Sequence, residues 1–336
     1  MASTLQLGDS RFRRVKTPAE FTRFLRDNLP SSEALIVKAD WVGLEEGSTK
    51  DVDSLRCLIE AVRGKVIVTE GHLLWRKQEK QGGPSFTVEG VERDWDWMFE
   101  GEGWRWLLRH PDWGWFRDGP HWEILRKEER SYLGRHGFLD LFQETGAEYV
   151  NATDEIWAGR VADPKTVREA VESMYPPAFT EKLYGFVPER LYRHHGAPFV
   201  SLSKRKEYQS FTMKNVFGLI PDPIRAWWHG PKDGRLPKSI LDINKVYASL
   251  FELVGVFETP HDGGSGFPRD VAMSRSVAQL DAILNNLSGC DLEKAPYISA
   301  GNGMFGSFSD KLLGEAKTRL GDWFPSPKRK FLTPEK

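Results

Sequence analysis

Several lysines follow one apolar segment of the chain. The run 198–202 is apolar and suited to a buried strand, and Lys204, Lys206 and then Lys214 follow it, with Asn215 directly after. A lysine at a strand end can hold a carboxylate or phosphate as a point charge, and a partly desolvated lysine can serve as a base or imine nucleophile. We therefore predict Lys206 and Lys214 as catalytic residues, and Lys204 and Asn215 as substrate contacts. The alternative is that these lysines only solvate a loop.

Complementary side chains follow two other apolar runs. Lys38 and Asp40 come at the end of the run 34–38, and Glu70 ends the run starting at Lys65. Ligands of open α/β sheets bind outside the carboxyl ends of the strands, so residues at several strand ends are expected to share one site. Asp40 and Glu70 are the predicted acid/base carboxylates, and Lys38 is a predicted substrate contact.

The elements that must position these residues alternate between strand and helix. Between the runs 34–38 and 65–69, apolar residues recur at helical spacing over 52–63, and Gly64 stands where a helix C-cap glycine belongs. That pattern predicts a βαβ unit with parallel strands. Further strands are predicted at 148–151, 198–202 and 253–257, and further helices at 121–144, 163–173, 239–251 and 277–287. The fold class is α/β, with a largely parallel sheet flanked by helices.

A tryptophan-rich insertion interrupts this alternation at 82–122. It follows the second strand just beyond Glu70, and it holds Trp95, Trp97, Trp104, Trp106, Trp113, Trp115 and Trp122. One interpretation is a compact aromatic mini-core or a dimer contact; the other is a lid or an aromatic wall for a substrate. We divide the chain into an N-terminal segment (1–31), an α/β domain (32–320) that includes the insertion, and a basic, proline-rich tail (321–336).

The segment SLSKRKEYQSFTMKNVFGLIP (201–221) resembles the signature of the family catalogued as domain of unknown function number 362. ALIVKADWVG (34–43) is similar to that family's strand ending in a Lys-Pro-Asn element, and VAQLDAILNNLSGCD (277–291) is similar to its closing helix. The resemblance spans about Ser32 to Gly306, and it implies a substrate contact for His229 at the family's usual distance after the Lys-Asn pair. Asp40 replaces the family's asparagine, and Tyr208 stands where a histidine is expected, which puts a shared substrate in doubt.

Composition and short motifs narrow the classes of function. The 336 residues carry 47 Lys and Arg against 48 Asp and Glu, so a general basic surface for nucleic acid is not expected. With two cysteines, Cys57 and Cys290, we expect no iron–sulfur cluster, although some relatives in the family carry a ferredoxin-like module. Other cofactors stay unknown. His261 and Asp262 with Glu258 could hold a divalent cation, but an ordinary turn is the preferred interpretation, so no metal is predicted.

These observations predict an enzyme that acts on a small anionic metabolite, a carboxylate first of all, by lysine and carboxylate acid/base chemistry. An isomerase or lyase reaction is favoured over redox chemistry, because no convincing nucleotide fingerprint is found. The alternative is a non-catalytic binding or assembly protein that uses the insertion as its contact surface. We expect a cytoplasmic protein without nucleic-acid or membrane partners, because no apolar run is long enough for a signal peptide or a membrane span. A homodimer is left open.

Overall fold

A computed structural model of the chain describes residues 4–41, 52–73, 86–94, 97, 101–111, 114–118, 121–205, 211–261, 266–321 and 323. The strands within these ranges are β1 (Leu5–Leu7), β2 (Ser10–Val15), β3 (Ala34–Lys38), β4 (Lys65–Glu70), β5 (Phe86–Val88), β6 (Val91–Arg93), β7 (Glu148–Asn151), β8 (Pro198–Lys204), β9 (Glu252–Pro260) and β10 (Arg269–Ser274).

The α-helices alternate with these strands over most of the chain. They are α1 (Pro18–Asn28), α2 (Val52–Ala61), α3 (Gly101–Leu107), α4 (Gly114–Arg117), α5 (His121–Arg135), α6 (Phe138–Thr145), α7 (Ala152–Trp157), α8 (Pro164–Met174), α9 (Glu189–Tyr192), α10 (Thr212–Val216), α11 (Arg225–His229), α12 (Leu236–Leu250), α13 (Val277–Leu287), α14 (Pro296–Gly301) and α15 (Asp310–Leu320). Among the described residues, no helix is both long and apolar enough to cross a bilayer.

Eight of the described strands form one sheet in the order β1-β2-β10-β9-β8-β3-β4-β7. Neighbours from β9 to β7 are parallel, whereas β10 runs antiparallel to both β9 and β2. The α/β class and the largely parallel sheet are confirmed, and the strands ending at Lys38, Glu70 and Lys204 have their carboxyl ends on one edge. The segment 1–31 supplies β1, β2 and α1, so it joins this same sheet.

Two apolar layers cover the sheet. On one face, named the α12 face, Ile36, Phe199 and Phe257 pack with helices α8, α10, α12 and α13. On the other, named the α2 face, Val37 and Val256 pack with α1, α2, α5 and α6. Successive side chains of a strand point to opposite faces of the sheet. These strands are apolar on both faces because helices cover both faces.

Local sequence signals predicted several helix ends correctly. Asp163 caps α8 by accepting hydrogen bonds from the backbone N–H groups of Lys165 (3.2 Å) and Thr166 (3.2 Å). Gly146 ends α6 in the left-handed conformation, with φ 71°. The helix predicted at 121–144 is in fact two helices, because Gly137 adopts φ 74° between them.

The predicted C-cap role of Gly64 is wrong. Gly64 is not among the glycines with positive φ, and α2 ends earlier, at Ala61. A Cβ atom built on Gly64 would lie 2.4 Å from the carbonyl oxygen of Glu33. The glycine therefore permits a close approach of two backbone segments before β4, rather than a left-handed turn.

Candidate functional site

The parallel strands end in polar side chains at one edge of the sheet, which we call the carboxyl-end rim. Lys38, Glu70, Asn151, Lys204 and Glu258 lie there, on β3, β4, β7, β8 and β9 respectively. All five are buried. Since β10 runs in the opposite direction, its first residue lies at the same edge. Buried ionisable groups must be paired or hydrogen-bonded, so their partners show how the rim is organised.

On the α12 face, Lys38, Glu70, Asn215 and Ser201 form what we call the Lys38 cluster. Lys38 Nζ lies 2.7 Å from Glu70 Oε1, and it donates hydrogen bonds to the carbonyl oxygen of Ala39 (2.6 Å) and to Asn215 Oδ1 (3.1 Å). Asn215 Nδ2 in turn lies 3.1 Å from Ser201 Oγ and 3.3 Å from the carbonyl oxygen of Lys38. An ammonium group has three donors, and these contacts use all three.

The surrounding backbone closes the Lys38 cluster. Asp281 accepts hydrogen bonds from the backbone N–H groups of Thr212 (2.9 Å) and Met213 (2.8 Å), which fixes the start of α10 and hence Asn215. Gly218 lies directly against the lysine, because a Cβ atom there would be 3.0 Å from Lys38 Nζ. Lys38 is accordingly 1 % exposed. The cluster is a saturated, tightly enclosed ion pair.

On the α2 face, Glu258, Lys204, Arg269 and Ser54 form what we call the Glu258 cluster. Lys204 and Glu258 are register partners on adjacent parallel strands, and Lys204 Nζ lies 3.6 Å from Glu258 Oε1. Glu258 Oε2 accepts hydrogen bonds from Arg269 Nη1 (2.5 Å) and Ser54 Oγ (2.7 Å). Within the described part of the chain, Glu258 Oε1 has no hydrogen-bond donor, although the side chain is 1 % exposed.

Burial shifts the proton affinities of the Glu258 cluster. It raises the pKa of Glu258 above its usual range, against the opposing effects of Lys204 and Ser54. It lowers the pKa of Lys204, although Glu258 and Asp40 favour the charged ammonium. Burial also lowers the pKa of Arg269, to about 10. The pKa values of Lys204 and Glu258 are therefore shifted towards each other, a property typical of acid/base pairs.

The pleat of the strands explains why the predicted site residues fall into two clusters. Lys38 contacts Asn215 of α10 on the α12 face, whereas the cluster of Lys204 contains Ser54 of α2 on the α2 face. Asp40 lies between the two strands concerned, because its Oδ2 accepts a hydrogen bond from the backbone N–H of Lys204 (3.2 Å). Lys38, Glu70 and Asn215 are thus brought together, and Lys204 is on the other side of the sheet.

The remaining predicted residues lie near α10 or outside the described ranges. Lys214 is half-buried on α10. His229 Nδ1 lies 2.9 Å from Asp233 Oδ1. Burial lowers the pKa of His229, and the positive charge of Lys214 lowers it further, which puts these two side chains in one neighbourhood. Lys206 lies outside the described residues, so its predicted place beside Lys214 stays a prediction.

Two members of the Glu258 cluster were not predicted from the sequence. Neither Ser54 nor Arg269 has a local motif: Arg269 reaches the rim because β10 pairs antiparallel with β9, and Ser54 reaches it at the start of α2. In the sequence, Glu258 forms a candidate cation site with His261 and Asp262, although an ordinary turn is the preferred interpretation. His261 Nδ1 instead lies 3.2 Å from Asp270 Oδ2, away from the contacts of Glu258, and Asp262 lies outside the described residues.

The described tryptophans of the insertion pack against one another and against neighbouring helices. Trp97 and Trp106 have ring centroids 5.8 Å apart, and Trp104 lies against this group. The other buried members of this third core are Val88, Leu107, Phe116, Leu125 and Ala226. At the end of the insertion, Trp122 Nε1 donates a hydrogen bond to Asp154 Oδ1 (2.7 Å). The insertion therefore packs around an aromatic core that it shares with α5 and α11, and it is tied to α7, which directly follows the β7 end of the rim.

Comparison with known proteins gives one partial relative. A thylakoid-associated protein from Synechocystis sp. is 30% identical over 115 residues, which make up 30% of this chain and 35% of the relative. No family model matches the chain. No solved structure matches it either.

Proposed function

We propose that the protein is an enzyme that acts on a small anionic metabolite, a carboxylate first of all, by lysine and carboxylate acid/base chemistry at the Glu258 cluster. The observation that carries this proposal is the register pair of Lys204 and Glu258, whose charged groups lie 3.6 Å apart. Burial lowers the pKa of Lys204 and raises the pKa of Glu258. Both shifts bring the proton affinities of the two groups closer together, which favours proton exchange between them.

The charge of the cluster suits an anionic ligand. Lys204 and Arg269 are two cationic side chains beside Glu258, with Asp40 also acting on Lys204, and a bound carboxylate would contact these two cations. Glu258 Oε1 is buried without a hydrogen-bond donor among the described residues, so it is the oxygen best placed to take a proton. Lys204 would then act as the partner acid, and Arg269 would hold Glu258 and the ligand in position.

The Lys38 cluster supports this reaction less well. Its ammonium group already makes three contacts, so a substrate could bind Lys38 only by breaking one of them. We propose that Lys38, Glu70 and Asn215 fix the ends of β3, β4 and β8 rather than contact the substrate. Lys206 and Lys214 remain proposed catalytic residues that hold or activate the anion. Membership of the family of unknown function number 362 and a cytoplasmic location also remain proposals.

The second candidate is a non-catalytic binding or assembly protein. The name of the Synechocystis relative describes an association with thylakoids and no reaction. An aromatic insertion could provide the contact surface, because tryptophan is enriched at the centres of interfaces. Trp97, Trp104 and Trp106 pack within the chain, in a core shared with α5 and α11, and this favours the enzyme.

The test is retention of metabolites by the purified full chain, followed by untargeted mass spectrometry. We expect small carboxylates to be enriched by the wild type and lost in Lys204→Met. Lys65→Met is the matched control, because Lys65 forms an exposed pair with Glu148 (2.6 Å) at the opposite end of β4. Equal enrichment by all three proteins, or enrichment of none, would reject the site and favour the assembly role.

A further inference from the structure

A second group of buried charges lies at the other end of the rim, around His72. This histidine follows β4 directly, and its Nε2 lies 2.9 Å from Asp154 Oδ1 on α7. Its Nδ1 lies 3.7 Å from Glu129 Oε2 on α5, the helix in which the insertion ends. His72 is 1 % exposed. One imidazole thus connects the sheet, α7 and the helix that carries Trp122.

Two side chains compete for His72 Nδ1. Asn151 Nδ2 is 3.3 Å away, and its amide cannot turn round, because Asn151 Oδ1 accepts the backbone N–H of Asp154 (3.0 Å). Asn151 therefore offers Nδ1 a donor, which suits the neutral ring. Glu129 offers it an acceptor, which suits the protonated ring. The proton on Nδ1 decides whether His72 bonds to β7 or to α5.

We propose that His72 is a pH-responsive latch that holds α5, the helix in which the tryptophan-rich insertion ends, against the sheet and α7. With Nδ1 protonated, His72 attracts both Asp154 and Glu129, and α5 is held against the sheet. With Nδ1 neutral, the contact to Glu129 is lost and Asn151 takes its place. This inference does not depend on the proposed reaction at the Glu258 cluster.

The charges around His72 favour the protonated, closed form. Burial lowers the pKa of His72, but the hydrogen bonds and charges of Asp154 and Glu129 outweigh it, so the pKa is raised above its usual value. Such a group stabilises the folded contact below the ordinary histidine pKa, and the stabilisation is lost as the pH rises through the raised value. The latch therefore opens on the alkaline side.

The other polar and charged groups near the latch leave this direction unchanged. Arg126 of α5 lies 3.5 Å from Asp154 Oδ2, Tyr149 of β7 donates to Glu129 Oε1 (2.6 Å), and Arg225 of α11 donates to the carbonyl oxygen of His72 (3.0 Å). Tyr149 and Arg126 each stabilise one of the two carboxylates. Glu70, two residues before His72, is engaged by Lys38. The imidazole is thus the group that titrates between the two carboxylates.

The test follows the histidine ring resonances of the full chain and the hydrogen-exchange protection of α5 between about pH 6 and pH 10, after correction for intrinsic exchange rates. We expect protection of α5 to fall about tenfold with the same midpoint as His72, since the charged contact between the imidazole and Glu129 is lost. His72→Gln also removes a buried ring and endangers the fold, so the isosteric Glu129→Gln is the deciding variant. It should lower the pKa of His72 and abolish the fall in protection.

His110→Gln is the matched control. His110 belongs to the insertion, but it stacks on Trp106, with ring centroids 3.9 Å apart, and has no contact with His72 among the described residues. The fall in protection should persist in this variant with an unchanged midpoint. A wild-type His72 that titrates without any change in α5, or a fall in protection that survives Glu129→Gln, would overturn the latch. Either result would leave the metabolite experiment on Lys204 unaffected.

Discussion

The Lys38 cluster and the Glu258 cluster lie at the same edge of the same sheet, yet their hydrogen bonding differs. Lys38 has three partners for its three donors, and Gly218 closes over it. Glu258 has two donors on one oxygen, and Lys204 stands 3.6 Å from the other. The first cluster has the form of a structural ion pair. In the second, one carboxylate oxygen of Glu258 is left to interact with a ligand.

This difference shows that burial alone does not identify a functional site. Both lysines are nearly fully buried, and both end strands of one parallel sheet. A saturated pair gains stability from its partners, whereas an incompletely satisfied one keeps proton affinities shifted by burial. Functional groups commonly lower the stability of a protein. Substitution is therefore expected to lower the free energy of unfolding more at the Lys38 cluster than at the Glu258 cluster.

Removal of the Lys38 partner should give the largest effect on stability. Glu70→Ala leaves the Lys38 ammonium buried without the carboxylate at 2.7 Å, and the backbone N–H groups of Trp41 and Gly71 lose an acceptor. We expect the free energy of unfolding to fall by about 3–5 kcal/mol in urea titrations. Glu315→Ala, which breaks an exposed pair with Arg319, should cost less than about 1 kcal/mol. Equal effects of the two variants would remove the distinction between a structural and a surface pair.

A change in the packing over Lys38 should have a smaller effect. Gly218→Ala places a methyl group 3.0 Å from Lys38 Nζ, so the lysine must move from its partners. We expect a loss of about 1–3 kcal/mol in unfolding free energy, as for other overpacked sites. Gly314→Ala is the control, because a Cβ atom there meets nothing within 4 Å on α15. If Gly218→Ala behaves like this control, the cluster is looser than its distances indicate.

The smallest expected effect is a pH dependence that belongs to the Glu258 cluster. Because the pKa of Lys204 is lowered in the folded state, the folded protein binds fewer protons than the unfolded chain between that lowered value and about 10.4. Stability should therefore rise with pH across this window. The difference in unfolding free energy between wild type and Lys204→Met, measured from about pH 8 to pH 10, should show this rise. A difference that falls with pH would reverse the sign of the Lys204 shift.

Much of the fold follows from local patterns in the sequence. Apolar runs such as 34–38 and helical spacing such as 277–287 identify β3 and α13, because buried parallel strands and their helices need these patterns. The strands β2 and β10 were missed. Each begins with polar or charged residues, Ser10 and Arg269, and finds its place only through antiparallel pairing with a distant segment.

The site was predicted less completely than the fold. The sequence indicates which residues end the strands, and Lys38, Glu70 and Asn215 do meet. It does not indicate the face on which each side chain points, because that depends on where the strand pleat ends; Lys204 therefore falls with Glu258 instead. Ser54 and Arg269 contribute through long-range contacts that no local spacing reveals.

The most direct measurement compares one substitution at the two lysines, Lys38→Met and Lys204→Met, by urea unfolding and by retention of small carboxylates. We expect Lys38→Met to lose about 3–5 kcal/mol, because Glu70 is left buried without its ammonium partner. Lys204→Met should change stability by about 1 kcal/mol or less, because Arg269 and Ser54 still bind Glu258, but it should abolish carboxylate retention. Equal stability losses together with unchanged retention in Lys204→Met would contradict the assignment of the Glu258 cluster as the functional site.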